Sequence, residues 1–529
     1  ARRRPRACRR ARRRARRARL RPRRRDPRRA AGGRLARRDD EGRHDPAPPM
    51  TESVLRLGGP DLSVPVLLAW LGSPARVELA ATVEPALAAT RDQARHAART
   101  YAAYGRTTGV GANRDRAAED DDGAHGLRLV RSHAAGAGRD LGAEVARATM
   151  LVRAHQLSQP GSGIDPAIVS ALVRAINDGR SPAYREHGAV GTGDLTVLAE
   201  LALCLLGEMP WRDGAVAGYG VRVTADDALA FMSSSAPTLA AGALAWRALD
   251  EVARAAAAIE TIGAFAVRAN RQHLSEVAVG LRPTPGIEAV GRALREALAD
   301  ARYEHARTQD SLSWRSIPYI HGPLLDATTA LRDELGASIS RAVENPRYAG
   351  GAVWHHGAFH LTGLALALDR ARLALAQWAH SSFARTTSLN DPETTGQGRF
   401  LAHGPAGSSG VMVLEYAAAS ALATVVHRAD PLTRQSITMS IGVEDHAPWT
   451  TQSCAALADA AAAARVVACA ELVTAVRAAR HAPVAEPGPA IAALLEACDP
   501  LPRALEDRPL VDDMQIADGL LSSLAGWLG

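Results

Sequence analysis

The chain of 529 residues has no lysine, and aromatic residues make up only 4% of it. Its basic charge is therefore arginine, and this charge is unevenly distributed. Residues 1–49 hold 22 arginines and five acidic residues, which leaves 42 of the 64 basic and 51 of the 56 acidic residues for the rest of the chain. The formal net charge of +8 thus combines a first segment at +17 with a remainder at −9. Nucleic-acid binding is not expected from such a chain.

The basic segment, residues 1–49, lacks the apolar periodicity of a folded element. It consists mainly of arginine, alanine, proline and glycine, as is typical of upstream DNA of high GC content read in frame. The lack of lysine also suggests a GC-rich genome. Met50 opens a stretch of ordinary composition. We therefore expect residues 1–49 to be a mis-assigned start or a disordered arginine-rich tail, and residues 50–529 to form one folded unit.

Cysteine is scarce as well, with neither paired spacing nor a Cys-x-x-Cys motif among the five: Cys8, Cys204, Cys454, Cys469 and Cys498. This argues against a disulfide framework and predicts buried thiols in a reducing compartment. No apolar stretch follows the basic run, so we expect no secretory signal peptide. Residues 411–426 are apolar, but they carry Glu415 and are short for a bilayer span. The prediction is a cytoplasmic protein without membrane contact.

Alternating strand patterns are nearly absent, and residues 221–223 are the best candidate. Apolar residues instead recur at intervals of three and four, the pattern of amphipathic helices. The clearest such segments are residues 142–157, 166–178, 196–207, 238–266 and 453–479. Pro237 fits the first turn of the fourth helix. We expect an all-α fold with a loop-rich part over residues 50–235 and a long antiparallel helical bundle over residues 236–529, in which residues 482–499 connect the last helices.

Two glycine-rich segments carry candidate chemistry. The first, YGRTTGVGANRD at residues 104–115, places Tyr104 beside one glycine and ahead of two others. Glycine permits positive φ and leaves the phenol uncovered, which suits a mobile loop that holds a catalytic base. The second, GAVGTGDL at residues 188–195, is a tight turn that runs into an apolar helix.

These two segments resemble, in order and spacing, the signature loops of the aromatic amino acid ammonia-lyases, the histidine and phenylalanine ammonia-lyase family. Further matching stretches run in family order: LRLVRSHAAGAG, RATMLVRAHQLSQPGSG, GLRPTPG, QDSLSWRSIPYIHG, ENPRYAGG, HGAFH, SSGVM and EDHAPW. The resemblance implies the all-α ammonia-lyase/fumarase-like fold and a carbon–nitrogen lyase that acts on a small amino acid or betaine. It also implies a homotetramer in which three subunits contribute to each active site.

The family builds its electrophile, a methylidene-imidazolone, from an Ala-Ser-Gly triplet of its own backbone. A tyrosine removes the β-proton of the substrate, and an arginine holds its carboxylate in a two-pronged contact. By position, these two roles fall to Tyr104 and Arg315. The resemblance implies catalytic positions at Tyr104, Gly111, Thr192 and Gly193. It implies substrate-binding positions at His133, His155, Asn177, Ser233, Arg315, His321, Phe359 and Glu415.

The sequence departs from the family where the electrophile forms. The family has Gly-Ser-Val-Gly-Ala-Ser-Gly-Asp-Leu, and this chain has GAVGTGDL, one residue shorter. Either the gap removes the serine and no imidazolone forms, or Gly191-Thr192-Gly193 is the triplet and dehydration of Thr192 gives a methylated, more hindered alkene. Three supporting positions also differ, with residues in place of a tyrosine, an asparagine and a glutamine: Leu312, Ser233 and Glu415. We expect an atypical member without the imidazolone cofactor.

Three functions are consistent with these observations. The first is a lyase that needs no imidazolone because its leaving nitrogen is already quaternised, as in a trimethylated betaine of histidine. Ergothionase, a trimethylammonia-lyase of this superfamily that lacks the triplet, is the precedent. The second is an ordinary ammonia-lyase or aminomutase that uses Thr192. The third is an inactive paralogue that binds a small acid.

The histidine-rich stretch HHGAFH, residues 355–360, raises the question of a metal site. No carboxylate stands at ligand spacing from these histidines, so we predict packing or substrate contacts and no metal. His446 matches a position near the family's site and is predicted to line it. The neighbouring Glu444 and Asp445 are predicted to cap the start of a helix.

Overall fold

The computed structural model describes residues 54–59, 62–120 and 123–528. The described residues are mainly helical, which confirms the all-α prediction. Their α-helices are α1 (Val64–Gly72), α2 (Val83–Thr100), α3 (His125–His133), α4 (Ala143–Leu157), α5 (Pro166–Asn177), α6 (Leu195–Leu206), α7 (Ala228–Met232), α8 (Ala236–Ala266), α9 (Glu276–Val279), α10 (Pro285–Leu298), α11 (Leu312–Arg315), α12 (Ile317–Ile339), α13 (Thr362–Leu389), α14 (Pro392–Thr395), α15 (Val413–Arg428), α16 (Thr450–Arg480), α17 (Pro489–Ala497) and α18 (Val511–Ala525). The segment 1–49, for which a tail or mis-assigned start is predicted, lies outside these residues.

The strands of the described chain form three separate two-stranded sheets. They are the parallel pair β1 (Val54–Leu57) and β2 (Arg76–Leu79) and the antiparallel pairs β3 (Ala137–Asp140) with β4 (Arg185–His187) and β5 (Arg347–Ala349) with β6 (Ala352–Trp354). Residues 221–223, the best strand candidate in the sequence, form no strand. Alternation is insufficient there because a strand also needs a neighbour to pair with.

The five helices that apolar periodicity predicts are present as α4, α5, α6, α8 and α16, with ends shifted by at most three residues. Pro237 lies in the first turn of α8, as predicted. The expected connector at residues 482–499 is only partly a loop, since α17 lies inside it. The helix α17 begins at Pro489, a residue that favours the first turn of a helix, so proline here starts a helix rather than breaking one.

The centre of the bundle is formed by α8 and α16, which pack on each other and on α12, α13 and α15. Small residues allow this close packing in a chain with few aromatic side chains. A Cβ on Gly263 would lie 2.7 Å from the ring of Trp314, and one on Gly242 would lie 2.9 Å from Leu335. The stretch Ala228–Ala266 is apolar enough to cross a membrane by length and composition alone, but 78% of its most apolar window is buried inside the protein.

The bundle core also holds a cluster of fully buried polar side chains. Arg385 donates to Glu471, at 2.6 Å from Nε to Oε1, and forms an ion pair with Glu260, at 3.0 Å from Nη2 to Oε1. His321 Nδ1 lies 2.8 Å from Glu260 Oε2, and its Nε2 lies 2.7 Å from the carbonyl oxygen of Ala253. These contacts connect α8, α12, α13 and α16 through polar side chains in the interior of the bundle.

Candidate active site

Loops from distant parts of the chain meet around a cavity of about 350 Å³ next to the start of α6. Its polar and glycine positions are Tyr104, Thr192, Gly193, Ser233, Asn345, His360, Glu444, Asp445 and His446. Its apolar positions are Val110, Leu195, Leu229, Phe359 and Val443. Of the twelve predicted site residues, the structure brings five to this cavity: Tyr104, Thr192, Gly193, Ser233 and Phe359.

Tyr104 lines the cavity from the loop that follows α2. Its hydroxyl oxygen accepts a hydrogen bond of 2.7 Å from the backbone N–H of Gly111, and its own N–H donates to His355 Nε2 at 3.2 Å. Burial raises the pKa of the phenol, and the charge of Glu444 raises it further. The Gly111 N–H and Arg114 lower this pKa, but by less than burial and Glu444 raise it. At neutral pH the group is therefore a phenol.

Gly111 supports the phenol through its backbone and does not line the cavity. Its φ is +57°, a conformation that favours glycine. A Cβ at this position would lie 2.5 Å from Ser440 Oγ. Ser440 Oγ also accepts a hydrogen bond of 3.0 Å from the N–H of Ala112. The loop of Tyr104 is thus docked against the loop that contains Ser440.

The turn Gly191-Thr192-Gly193 forms the cavity wall ahead of α6. Gly191 has φ of +88°, and its carbonyl oxygen accepts a hydrogen bond of 3.3 Å from the N–H of Leu361. A Cβ on Gly191 would lie 2.7 Å from Thr450 Oγ1 and 2.8 Å from the Thr450 nitrogen. Position 191 therefore has no room for an alanine without a shift of the α16 backbone.

Asp194 follows this turn directly and is fully buried. Burial raises the pKa of its carboxyl to about 7, although the carboxylate accepts hydrogen bonds from the Thr238 N–H at 2.8 Å and the Thr238 hydroxyl at 3.1 Å. Two neutral donors do not replace the solvation that burial removes.

Glu444 and Asp445 line the cavity together with Tyr104. The prediction that they cap a helix is wrong, because α16 begins only at Thr450, after the N-cap residue Trp449. A backbone hydrogen bond of 2.7 Å from Met439 N to Glu444 O instead closes a tight loop. The sequence signal that could have found both acids is the stretch EDHAPW, which matches the family in order.

Two histidines lie in contact at the same cavity. His360 Nε2 lies 3.0 Å from His446 Nδ1, and the hydroxyl of Thr362 lies 2.8 Å from His360 Nδ1. Burial lowers the pKa of His360, and the proximity of His446 lowers it further. In the described part of the chain no group of three or more His, Cys, Asp or Glu residues could hold a metal ion.

Similarity to known proteins agrees with this arrangement. The profile of the family described as aromatic amino acid lyase matches residues 62–499. The chain belongs to the aromatic amino acid lyase family. Histidine ammonia-lyase of Geobacillus thermodenitrificans is 32% identical over 377 residues, which cover 66% of this chain and 73% of the relative. Histidine ammonia-lyase of Sorangium cellulosum is 31% identical over 449 residues, which cover 80% of this chain and 87% of the relative. The protein is thus a carbon–nitrogen lyase.

Solved structures show the same fold. Ergothionase from Treponema denticola, crystallised with desmethyl-ergothioneine sulfonic acid, aligns with a TM-score of 0.82 at 21% identity over 89% of this chain and 99% of that one. Histidine ammonia-lyase from Trypanosoma cruzi aligns with a TM-score of 0.81 at 24% identity over 90% of this chain and 95% of that one. The bundle described above is therefore the all-α fold of these lyases.

Arg315 lies away from Tyr104. It lines a second cavity of about 530 Å³, built around α11 and the start of α12. Its Nη1 donates to Gln309 Oε1 at 2.7 Å, and its Nε is buried without a partner among the described residues. Leu312, which stands where the family has a tyrosine, lines this second cavity too.

Five further predicted site residues are not brought to the Tyr104 cavity, and each has another place in the fold. His321 belongs to the buried cluster of the bundle. Asn177 joins α5 to β2 through two hydrogen bonds to the Val77 backbone, at 2.8 and 2.9 Å. The other three are on helices: His133 contacts Leu129 O in α3, His155 is buried in α4, and Glu415 accepts from Asn390 in α15. Matching order along the chain locates a segment but not the direction of each side chain.

The methylidene-imidazolone of the family forms from an Ala-Ser-Gly triplet, and the turn before α6 differs from that triplet at two positions. Position 191 is a glycine with no room for the alanine, and the middle residue is Thr192. The family's group supplies an electrophilic alkene that captures the substrate.

Proposed function

We propose that this lyase eliminates the amine from an aromatic, histidine-like amino acid and gives an α,β-unsaturated acid, without a methylidene-imidazolone. The substrate favoured by the cavity is the trimethylated betaine. The observation that carries this proposal is the charge of the lining: Glu444 and Asp445 stand beside Tyr104, and no arginine lines the cavity in the described residues. Such a lining attracts a cation. The rings of Phe359 and Tyr104 suit a quaternary ammonium group.

The bond changes need only a base and a nitrogen that leaves as a neutral amine. The phenolate oxygen of Tyr104 takes the β-proton, and the C–H electron pair becomes the new C=C bond. The C–N pair departs with the nitrogen, which leaves as trimethylamine. The products are the unsaturated acid, the amine and a protonated tyrosine, which returns its proton to water. A quaternary nitrogen needs no prior capture by an electrophile.

The raised pKa of Tyr104 links the base to this class of substrate. Burial and Glu444 hold the phenol protonated while the cavity is free of a cation. A quaternary nitrogen bound between the phenol and the carboxylates favours the phenolate, because an opposite charge nearby stabilises the ionised form. The substrate thus supplies the positive charge that the lining of the subunit lacks.

The substrate carboxylate needs a cationic anchor, and Arg315 lies in the second cavity of the same subunit. We infer a homotetramer in which Arg315 of a neighbouring subunit completes each site. The described cysteines are buried and free, which supports a reducing compartment and, as we propose, the cytoplasm.

A second candidate function is supported by the position of Thr192. It lines the cavity together with Tyr104, where an electrophile would have to stand. In that case Gly191-Thr192-Gly193 condenses, and the protein is an ammonia-lyase or aminomutase of the usual kind.

The two candidates are separated by assays of the purified chain. L-Histidine, L-phenylalanine and their Nα-trimethyl betaines are supplied in turn, and the unsaturated acid and the released amine are measured. We expect turnover of a betaine and an intact mass without loss of water. Release of ammonia from an amino acid, with a mass lower by two waters and a near-ultraviolet chromophore, would establish the second candidate.

Thr192→Ala tests the same point by mutation. Without an imidazolone, turnover of the betaine should stay within about tenfold of the wild type, roughly 1.4 kcal/mol of barrier. Thr196→Ala is the matched control, since Thr196 lies in the first turn of α6 and its hydroxyl donates to Gly188 O at 2.8 Å. Loss of all activity in Thr192→Ala alone would contradict a mechanism without the electrophile.

A further inference from the structure

Arg106 is a buried arginine two residues after Tyr104, and the mechanism gives it no role. Only 8% of its surface is exposed. Its Nη2 lies 2.5 Å from Asp226 Oδ1, and its guanidinium carbon lies 5.4 Å from the centre of the Tyr348 ring. A buried guanidinium is costly unless it is paired, so a methionine or leucine would fill this place with a smaller desolvation penalty.

The partners of Arg106 are firmly held, whereas its own segment is a loop. Tyr348 belongs to β5, is 5% exposed and packs with Ala94, Ala97 and Ala103. Asp226 also pairs with Arg95 on α2, at 2.8 Å. The guanidinium therefore connects the Tyr104 loop to β5 and to the turn that contains Asp226, and Arg95 connects that turn to α2.

Backbone hydrogen bonds connect Arg106 to the segment that holds the phenol of Tyr104. The N–H groups of Arg106 and Thr107 both donate to Ala103 O, at 3.0 and 2.9 Å, which closes the turn around Tyr104. On the far side of the loop the phenol accepts from Gly111, and Ser440 Oγ accepts from Ala112. Those far contacts are single neutral hydrogen bonds, and Ser440 is a half-buried residue at the start of a short 3-10 helix. Arg106 provides the only ion pair of this loop that is buried in the described structure.

We propose that Arg106 is a positioning residue that holds the Tyr104 loop in the conformation in which the phenol accepts from Gly111 at the cavity. Its contribution to turnover rests on the proposed role of Tyr104 as the base. Its effect on the conformation of the loop does not depend on that role, so the effect on the loop and the effect on turnover can be measured separately.

The test uses two arginines that share one partner. Arg106→Met removes the ion pair from the loop, and Arg95→Met removes the 2.8 Å ion pair between Asp226 and α2. In either variant the half-buried Asp226 keeps the other arginine and the more distant Arg91, at 3.9 Å, so this carboxylate is not left without a cation. Amide hydrogen exchange is measured on the full chain, and the N–H of Gly111 reports the bond to the phenol because that N–H is its donor.

We expect exchange at Gly111 to be at least about tenfold faster in Arg106→Met and unchanged in Arg95→Met. With trimethyl-histidine betaine as the probe, kcat should fall at least about tenfold in Arg106→Met because the base is displaced, and KM should rise by less because Phe359, Glu444 and Asp445 keep their places. Arg106→Lys keeps a cation near Asp226 and should recover part of both effects. It also serves as the variant to measure if Arg106→Met does not fold.

Equal exchange at Gly111 in Arg106→Met and Arg95→Met would overturn the proposal. Faster exchange in Arg106→Met with unchanged turnover would support the role of Arg106 in positioning the loop and would count against Tyr104 as the base. The proposed function and the positioning role are therefore contradicted by different results.

Discussion

Two fully buried carboxylates in this protein have opposite pKa shifts. Burial alone would raise the pKa of Glu260 in the bundle, but His321 and Arg385 lower it below its usual value. Burial raises the pKa of Asp194, beneath the cavity, to about 7, because only Thr238 donates to it. For these two carboxylates, equal burial thus gives opposite pKa shifts, because Glu260 has both His321 and Arg385 next to it whereas Asp194 has only the neutral donor Thr238.

The same contrast separates the bundle from the cavity as a whole. In the bundle, Arg385 pairs with both Glu260 and Glu471. At the cavity, no arginine lines the wall in the described residues, Asp194 has only Thr238 as a donor, and Arg114 does not offset the burial and the Glu444 charge that raise the pKa of Tyr104. A group that lacks a fixed counter-charge can change its protonation when a ligand arrives. We infer that the bundle uses charge for stability and the cavity uses it for chemistry.

The largest effect should come from breaking the balance in the bundle. Arg385→Met leaves Glu260 and Glu471 facing each other without their shared cation. The free energy of unfolding, measured with urea, should fall by about 3–5 kcal/mol, as expected when one partner of a buried ion pair is removed. Arg247→Met is the matched control, since Arg247 pairs with Glu144 on the surface and should contribute about 1 kcal/mol or less. Equal losses in the two variants would contradict a structural role for the cluster.

A comparable effect on rate, without one on stability, should follow at the cavity. Tyr104→Phe keeps the ring and removes the proton acceptor, so kcat for the betaine should fall at least about a hundredfold, roughly 2.7 kcal/mol of barrier. The melting temperature should stay within about two degrees of the wild type. Tyr184→Phe is the control, because the Tyr184 hydroxyl is buried without a partner in the described residues. If that variant loses as much turnover, packing and not proton transfer explains the loss.

What the sequence predicts well is what depends on neighbouring residues. Apolar periodicity located α8 and α16, and glycine-rich loops located Tyr104 and Thr192. The contact between His360 and His446 joins residues far apart in the chain, and no local pattern shows it. Glu444 was assigned to a helix cap because acids often precede helices, whereas the backbone closes a loop there. His321 was placed at the site because its segment matches the family, but its ring turns into the core toward Glu260.

A smaller and more selective effect should distinguish the two carboxylates of the cavity. Glu444 raises the pKa of Tyr104, so Glu444→Gln should lower it. If the phenolate is the base, kcat/KM rises with pH up to that pKa, and in Glu444→Gln the rise should begin at lower pH. Asp445→Asn is the control: it also removes a charge from the lining, but Asp445 is not among the groups that shift the pKa of Tyr104. Both variants should raise KM for the betaine, and only Glu444→Gln should move the pH profile.

A further effect concerns stability against pH and tests the contrast between Glu260 and Asp194 directly. The pKa of Asp194 is about 7 in the folded protein, above the value of 3.8 for a free carboxyl. Between these two values the folded state holds a proton that the unfolded state has released. Asp194 therefore makes the protein less stable as pH rises toward 7, and its contribution is constant above that. Asp194→Asn should remove this dependence of stability on pH. The difference between the melting temperature of the variant and that of the wild type should therefore increase from pH 5 to pH 8.

For Glu260→Gln, the difference in melting temperature from the wild type should change with pH in the opposite direction. The lowered pKa of Glu260 gives stability that is present near neutral pH and lost as pH falls through the folded-state value, so this variant's deficit should shrink in acid. Melting curves of both variants across pH 3 to 8 therefore check the sign of each shift without any substrate. A difference from the wild type that stays constant over this range, in either variant, would mean that the cation beside Glu260 and its absence beside Asp194 do not set the two protonation states. The contrast between a paired bundle and an unpaired cavity would then no longer rest on charge.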